Sequence, residues 1–292
     1  MTEIKKAIIP IAGLGTRFLP LSKAMPKEFW PLVDKPVIQY IVEEARDSGI
    51  KEIIFVNKPK KELVIDYFTK KLKSKKTSFS KYKSHFLKEL DNLENISKEI
   101  HFSQVFQKAP LGAAQAVFQA KNFVKNEPCA VLWADDVVES KTPCLLQLIK
   151  AFKKYKKPII ALYRVPKESF QFYGMIKGKK IAGRVYQIKD FIEKPTIKEA
   201  PSNLAIVGKY IITPEVFDRL KKTSFDLKSD ITLSTTLIEM AKKGEKVYGY
   251  EFEGKWLECG NKLAYLKSNL YLSLKHPQFG KELKKILKRP RW

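Results

Sequence analysis

Two glycines and several cations lie close together near the start of the sequence, in the string AIIPIAGLGTRFLPLSKAMPKE. Gly13 and Gly15 directly follow a short apolar run, and Arg17 and Lys27 come next, with Lys23 between them. Glycine permits a positive φ and leaves no Cβ in the way of a ligand, and successive backbone N–H groups can form an anion-binding concavity. We therefore expect this basic loop to hold several phosphate groups. Its backbone would comprise Ala12, Gly13, Leu14, Gly15 and Thr16.

This loop differs from the two common phosphate-binding loops. The P-loop string GxxxxGK[ST] is absent, and Phe18 stands where the dinucleotide fingerprint GxGxxG has its third glycine. Proline lacks an amide hydrogen and breaks helices, so the segment cannot form one helix. The prolines concerned are Pro20, Pro26, Pro31 and Pro36. The sequence therefore predicts a rigid, irregular loop at the end of a buried strand.

Three residues farther along the chain could serve a nucleotide and its metal ion. Asp135 follows the apolar string CAVLWA, and a carboxylate there can bind Mg²⁺, although a strand-end aspartate is more often a turn residue or a helix cap. Asp136 is its competitor. The carboxamide of Gln107 offers a donor and an acceptor together, which suits a pyrimidine edge. Gly112 would let a base approach the backbone closely, although its string could simply begin a helix.

The segments that would position these residues alternate in the first half of the chain. Apolar runs at 7–12, 51–57, 128–134 and 158–165 are typical of buried strands, and amphipathic segments at 37–48, 112–124 and 143–155 are typical of helices. This alternation predicts an α/β fold with a parallel sheet, helices on both faces and ligands beyond the carboxyl ends of the strands. After about residue 166, hairpin-like strands and shorter helices predict an α+β second half.

Composition limits the classes of function that remain possible. A net charge of +25 fits a solvated lysine-rich surface, attraction of small polyanionic substrates, or a nucleic-acid surface. We do not expect nucleic-acid binding as the main function, because RNP, zinc-finger and KH signatures are missing. Three widely spaced cysteines form no metal-binding pattern and fit a reduced cytoplasmic setting. We expect no membrane span, because no apolar run approaches about 18 residues.

The strings GxGTRxLP, PKE and PxxDKPxIQY near the start of the chain resemble the signature of the bacterial UTP–glucose-1-phosphate uridylyltransferases, members of the sugar-nucleotide pyrophosphorylase family. The resemblance extends over about residues 4–275. It implies a Rossmann-like mixed, mostly parallel sheet flanked by helices, of the nucleotide-diphospho-sugar transferase type. One domain over 1–292 would contain a nucleotide-binding half (about 1–165), a sugar-phosphate-binding half (about 166–260) and C-terminal helices (about 261–292). The implied reaction forms UDP-glucose and pyrophosphate from UTP and glucose 1-phosphate, in a cytoplasmic homodimer or homotetramer.

The resemblance also implies residue roles. Arg17 and Lys27 would be catalytic, through their charge at the leaving pyrophosphate and at the reacting centre. Asp135 and Glu258 would bind the Mg²⁺ cofactor. The glycine loop, together with Gln107 and Gly112, would bind the nucleotide. The sugar phosphate would be bound by Gly174, Glu193, Lys194 and Asn203, which lie in the strings YG, EKP and SNLA.

The chain departs from the family pattern at several positions. Glu258 replaces an aspartate, Thr235 takes the place of another, and Ser229 or Asp230 would cap the helix that contains Thr235. The string Ala113-Ala114-Gln115 replaces Leu-Gly-His and looks more like the thymidylyltransferase branch. Three alternatives therefore stay open. They are a glucose-1-phosphate thymidylyltransferase, a nucleotidyltransferase for another hexose 1-phosphate, and a catalytically weak regulatory homologue.

Overall fold

Nine strands from both halves of the chain form one mixed sheet. The computed structural model describes residues 3–59, 62–70, 84–225 and 231–288. Its strands are β1 (Lys6–Pro10), β2 (Pro31–Leu32), β3 (Lys35–Pro36), β4 (Glu52–Asn57), β5 (His101–Phe106), β6 (Cys129–Leu132), β7 (Asp136–Glu139), β8 (Ile159–Arg164), β9 (Gly174–Ala182), β10 (Val185–Glu193), β11 (Leu204–Ile212), β12 (Tyr248–Glu251) and β13 (Lys255–Glu258). The order across the large sheet is β5-β4-β1-β6-β11-β8-β12-β10-β9. Strands β10 and β11 run against the other seven, as their antiparallel pairings require.

The helices follow the alternation that the sequence predicts. They are α1 (Val37–Asp47), α2 (Leu63–Thr69), α3 (Ser84–Glu99), α4 (Ala113–Gln119), α5 (Lys121–Val124), α6 (Cys144–Tyr155), α7 (Pro214–Lys221), α8 (Leu233–Lys242), α9 (Lys262–Lys275) and α10 (Gly280–Lys288). Strands β5, β4, β1 and β6 are parallel neighbours, which confirms the predicted α/β arrangement of the first half. Within the ranges given above, no helix is both long enough and apolar enough to cross a membrane.

Hydrophobic side chains pack on both faces of the sheet. Along β1 the side chains alternate, so that Ile9 joins the core beneath α1 and Ile8 joins the core beneath α4, α7 and α8. Both isoleucines are fully buried. A strand covered by helices on both faces needs apolar residues at successive positions, which explains the continuous apolar runs in the sequence. These two layers fix the carboxyl ends of β1 and β6 side by side.

Two strand pairings in the second half of the sheet determine what lies at the end of β6, and one of them involves a segment that was not expected to be a strand. The segment 255–260, expected to be a short turn-flanked piece, contains β13, which pairs with β7 and places Glu258 opposite Asp136. Strand β11 pairs with β6 on one side and with β8 on the other. Its pairing with β8 shifts register between Val207 and Tyr210. Both features bring residues far apart in sequence to the end of β6.

Two helix boundaries also differ from the expectation. The segment 112–124, expected to be one helix, is divided into α4 and α5. Helix α8 begins later than predicted, because Thr232, and not Ser229 or Asp230, is its N-cap. The Thr232 hydroxyl accepts a hydrogen bond from the Thr235 N–H, and the Thr235 hydroxyl accepts one from the Thr232 N–H. Thr235 therefore serves a capping box, and residues 229 and 230 lie outside the described ranges.

Candidate active site

The glycine loop leaves the end of β1 as an irregular segment, as predicted. Gly15 has φ 65° and ψ 32°, a left-handed conformation that a Cβ would strain, and a Cβ there would lie 3.1 Å from that of Ser22. Gly13 does not have a positive φ, but its Cβ position faces open space, as expected of a glycine that leaves room for a ligand. The loop is anchored by Phe18, which is buried and packs edge-on against Trp30 at 4.2 Å between ring centroids.

Lys27 and Asp135 form an ion pair between the loop and the end of β6. Burial alone would raise the pKa of Asp135, but the Lys27 ammonium and the Arg17 guanidinium outweigh it and hold that pKa below its usual value. Burial likewise opposes the charge of Lys27, but Asp135 and Glu28 raise the pKa of Lys27 above its usual value. Both side chains are therefore charged at neutral pH, and the pair places a fixed cation beside a carboxylate.

Gly260 marks the point where three of the expected site residues converge. A Cβ added there would lie 3.1 Å from Oδ2 of Asp135, 3.3 Å from Oε1 of Glu258 and 3.6 Å from Nη1 of Arg17. The absence of a side chain at Gly260 leaves the space between these groups open. The backbone supports the arrangement, because the Cys259 N–H donates to the Asp135 carbonyl at 2.8 Å.

The Glu258 carboxylate is held in place by neighbouring donors. The Tyr173 hydroxyl donates to Oε2 at 2.7 Å, and Asn261 Nδ2 lies 2.9 Å from Oε1 and 3.1 Å from Oε2. Burial raises the pKa of Glu258, and these donors lower it in part. Mg²⁺ is commonly bound through one or two carboxylates together with substrate phosphates. Asp135 and Glu258 fit that requirement, although the described residues contain no cluster of three or more acidic, histidine or cysteine ligands.

Asp136 connects three elements beneath this point. Its Oδ2 accepts the Gly208 N–H at 2.9 Å, and its Oδ1 accepts the indole N–H of Trp256 at 2.7 Å. The Gly208 carbonyl accepts the Trp133 N–H at 2.7 Å, so Gly208 holds the segment on both sides of Asp135. Burial, followed by the charge of Asp135, raises the pKa of Asp136 to about 7. Both oxygens of this competitor for the metal are thus already used in joining strands.

Two cavities adjoin at Asp135, because Asp135, Ala113 and Trp133 line both. The loop-side cavity has a volume of about 340 Å³. The expected nucleotide residues that line it are Ala12, Gly13, Leu14, Thr16, Gln107 and Gly112, together with Lys27. The hairpin-side cavity has a volume of about 230 Å³. The expected residues that line it are Arg17, Gly174, Glu193 and Glu258.

Gln107 and Gly112 lie together on the wall of the loop-side cavity. Gly112 has φ 92° and ψ 169° at the N-cap of α4, a conformation open to glycine. Gln107 is buried at the end of β5, and its amide nitrogen donates to the Gly112 carbonyl at 3.1 Å. Gly15, in contrast, does not line this cavity and lies against Ser22 and Lys27.

Two expected sugar-phosphate residues, Lys194 and Asn203, do not line either cavity. The Lys194 side chain is 62% exposed, 3.8 Å from a Glu193 carboxylate oxygen, on a residue with φ 47°. Asn203 is exposed and its side-chain oxygen accepts a hydrogen bond from Arg164 at 2.6 Å. The structure therefore brings together the phosphate-loop, metal and sugar-hydroxyl candidates, but not these two.

The hairpin-side cavity also contains residues that sequence reasoning did not single out. They include Trp133, Phe172, Ile206, Gly208, Tyr210, Thr232, Ser234 and Trp256. Trp133 could have been found from its place just before Asp135. Nothing in the local sequence marks Tyr210 or Trp256, because their strands come to the cavity only through sheet pairing.

Comparison with known proteins agrees with this geometry. Residues 6–273 match the family model described as nucleotidyl transferase. The chain is 41% identical over 288 residues to a UTP–glucose-1-phosphate uridylyltransferase of Staphylococcus epidermidis strain RP62A, covering 99% of each chain. It is 41% identical over 283 residues to the Bacillus subtilis strain 168 protein of the same name, covering 97% of this chain and 96% of that one.

A solved structure has a similar fold. The crystal structure of a UDP-glucose pyrophosphorylase complexed with UDP-glucose superposes with a TM-score of 0.85 at 36% identity, covering 94% of this chain and 100% of that one. These similarities extend over the glycine loop, both cavities and the strands that join them. The chain belongs to the nucleotidyl transferase family, within the group of UTP–glucose-1-phosphate uridylyltransferases.

Proposed function

We propose that this protein is a UTP–glucose-1-phosphate uridylyltransferase. A phosphate oxygen of glucose 1-phosphate attacks the α-phosphorus of UTP, the bond from that phosphorus to the β-phosphate oxygen breaks, and UDP-glucose and pyrophosphate result. The observation that carries the proposal is the meeting of the two cavities at Asp135, with Lys27 on one side and Arg17 on the other. Two polyanionic substrates can meet only where fixed positive charge offsets their repulsion.

The glycine loop and its two cations would carry most of the catalysis. The reaction needs positioning and charge neutralisation rather than a covalent nucleophile, as in other phosphoryl transfers. Lys27, fixed by Asp135, would neutralise phosphate oxygens at the reacting centre. Arg17, whose side chain is exposed, can follow the charge that develops on the departing pyrophosphate. Asp135 and Glu258 would hold Mg²⁺, whose charge would further offset that of the phosphates.

Recognition of the two substrates divides between the cavities. Gln107 and Gly112 would contact the base in the loop-side cavity, since an amide pairs with the polar edge of a pyrimidine. Glu193 and Gly174 would contact sugar hydroxyls in the hairpin-side cavity. We retain Lys194 as the group that binds the sugar phosphate. Its exposed side chain must then swing inward when substrate binds, and Asn203 would act only through its neighbours.

We also propose a cytoplasmic location and a homodimer or homotetramer. Cys129, Cys144 and Cys259 are all buried and unpaired, as expected in a reducing compartment. Helix α9 exposes large apolar side chains, which supports an interface between copies. They are Leu263, Leu266 and Leu270, with 62%, 61% and 47% exposure. Light scattering of the purified protein would test this, and a mass of one chain at working concentration would contradict it.

Pyrophosphate release tests the proposed activity. The protein is mixed with Mg²⁺, glucose 1-phosphate and one nucleoside triphosphate at a time: UTP, dTTP, CTP, ATP or GTP. We expect release to be fastest with UTP. Preference for dTTP would support the thymidylyltransferase alternative, and no release under any condition would support a regulatory homologue. Arg17→Ala serves as a folded, inactive control, because Arg17 is exposed and its removal leaves the core intact.

A further inference from the structure

Gln107 is held by two acceptors at once. Its side-chain nitrogen donates to the Gly112 carbonyl at 3.1 Å and to Oε1 of Gln115 at 2.8 Å. Its backbone N–H donates to the Asn57 carbonyl at 2.8 Å, which fixes the main chain at the end of β5. Gln115 lies on α4, behind the cavity wall that Gln107 forms.

These bonds determine which end of the carboxamide remains for a ligand. A carboxamide has two N–H donors and one carbonyl acceptor, and here both donors have protein partners. In the part of the chain that the structure describes, Oε1 of Gln107 accepts no hydrogen bond. A backbone carbonyl can only accept, so turning the amide over would place two oxygens against each other at Gly112. The carbonyl is therefore the group offered to the cavity.

The orientation matters because pyrimidines differ at N3. Uracil and thymine carry an N3–H donor, whereas cytosine has an unprotonated N3 acceptor beside an amino group. An amide carbonyl accepts the N3–H of uracil but meets the N3 lone pair of cytosine unfavourably. Leaving a polar group opposite a like partner is a strong way to reject the wrong ligand. If the amide could rotate freely, its nitrogen would serve cytosine equally well.

We propose that Gln115 is a specificity-determining positioning residue, which adds a second restraint, or lock, to that of the Gly112 carbonyl and so holds the Gln107 carbonyl toward bases with an N3–H. This inference rests on the proposed function, in which Gln107 contacts the base. Gln115 itself touches no substrate. It stands in the Ala113-Ala114-Gln115 string, where the uridylyltransferase signature has histidine.

The test compares nucleotide preference in variants of Gln115. Gln115→Leu keeps the size of the side chain and removes the acceptor, so one restraint on the Gln107 amide is lost. Loss of one hydrogen bond should lower the kcat/KM preference for UTP over CTP by about five- to tenfold. Most of the change should appear in KM, because the base lies away from the reacting phosphates. Gln115→Glu keeps an acceptor and should restore the preference.

Two internal controls distinguish the lock from a general disturbance. The UTP to dTTP ratio should not change in Gln115→Leu, because both bases present N3–H. Gln119→Leu, on the same helix with no hydrogen bond to Gln107, should leave both ratios unchanged. If Gln115→Leu does not fold, Gln115→Ala removes the acceptor without added bulk. An unchanged UTP to CTP ratio in a folded variant overturns the proposal.

Failure of this inference can be told apart from failure of the proposed function. An inactive wild-type protein would refute the function. The lock would still be tested by calorimetric binding of UTP and CTP to the wild type and to Gln115→Leu. Equal loss of affinity for both nucleotides would then overturn the lock.

Discussion

Lys209 and Glu44 form an ion pair inside the protein, and breaking it is the most informative perturbation of the fold beneath the site. Lys209 lies on β11 next to Gly208, and its side chain is fully buried, 2.9 Å from a Glu44 carboxylate oxygen on α1. The other Glu44 oxygen accepts the Leu145 N–H at 2.9 Å, at the start of α6. The Lys209 ammonium otherwise makes no hydrogen bond within the described ranges. The pair thus links two helices to the strand that holds the Asp136 carboxylate.

The magnitude follows from what each substitution leaves behind. Lys209→Met leaves a buried carboxylate, and Glu44→Gln leaves a buried ammonium whose remaining donors are unsatisfied. Removing one partner of a buried pair typically costs about 3–5 kcal/mol of unfolding free energy. Lys209→Met should fall near the lower value, because Glu44 keeps its bond at the positive end of α6. The double variant buries no charge at this position and should be less destabilised than either single variant.

Urea unfolding of the four proteins measures these differences. Tryptophan fluorescence and far-ultraviolet circular dichroism must give the same transition before free energies are compared. We expect a coupling energy of at least about 2 kcal/mol between the two substitutions. A matched cycle on the exposed pair of Lys121 and Asp218, 3.6 Å apart, should give less than about 1 kcal/mol.

Additivity would refute this reasoning. If the two single variants cost less than about 1 kcal/mol each and their effects simply sum, the buried pair does not hold β11 to α1. If the double variant is stable but loses pyrophosphate release, Lys209 is needed for the site rather than for the fold. The charge of Lys209 also acts on Asp136, where it lowers the pKa that burial and Asp135 raise.

Three further predictions concern the cleft. Gly208→Ala would place a Cβ 2.2 Å from Oδ2 of Asp136, so the segment beside Asp135 must shift. We expect the unfolding free energy measured in urea to fall by about 1–3 kcal/mol and most activity to be lost. An active, equally stable variant would contradict the close packing. Tyr173→Phe removes a donor to Glu258, so half-maximal rate should need about tenfold more Mg²⁺, and an unchanged Mg²⁺ titration would exclude this supporting role. Lys194→Ala should raise KM for glucose 1-phosphate about tenfold or more through loss of a charged contact, with little change in KM for UTP. Equal changes in both KM values would count against Lys194 as the group that binds the sugar phosphate.

Much of the fold was accessible from pattern alone, because it depends on residues a few positions apart. Strand β4 (Glu52–Asn57) lies within the apolar run 51–57 that predicts it, and α1 begins at Val37 as its amphipathic spacing predicts. Site residues could be predicted from the sequence where one continuous motif contains them. Gly15 adopts the left-handed conformation that its motif demands, and Lys27 reaches the end of β6.

Other parts could not be read from local sequence. The N-cap of α8 is Thr232, because its hydroxyl and that of Thr235 satisfy each other's N–H groups, and several polar residues nearby were equally plausible caps. The exposed position of Lys194 could not be predicted from the sequence either. Its string matches a binding motif, but its side chain follows a left-handed backbone turn at the end of β10.

The sequence by itself determined the kinds of elements, their order and the chemistry of the glycine loop. Only the tertiary structure decided which distant residues share the cleft. Glu258 lies near Asp135 because β13 pairs with β7 and sets Glu258 opposite Asp136. Asp136 is bound to Gly208 because β11 pairs with β6. Periodicity reports which side of an element is buried, whereas strand pairing over more than seventy residues depends on how all the elements pack together.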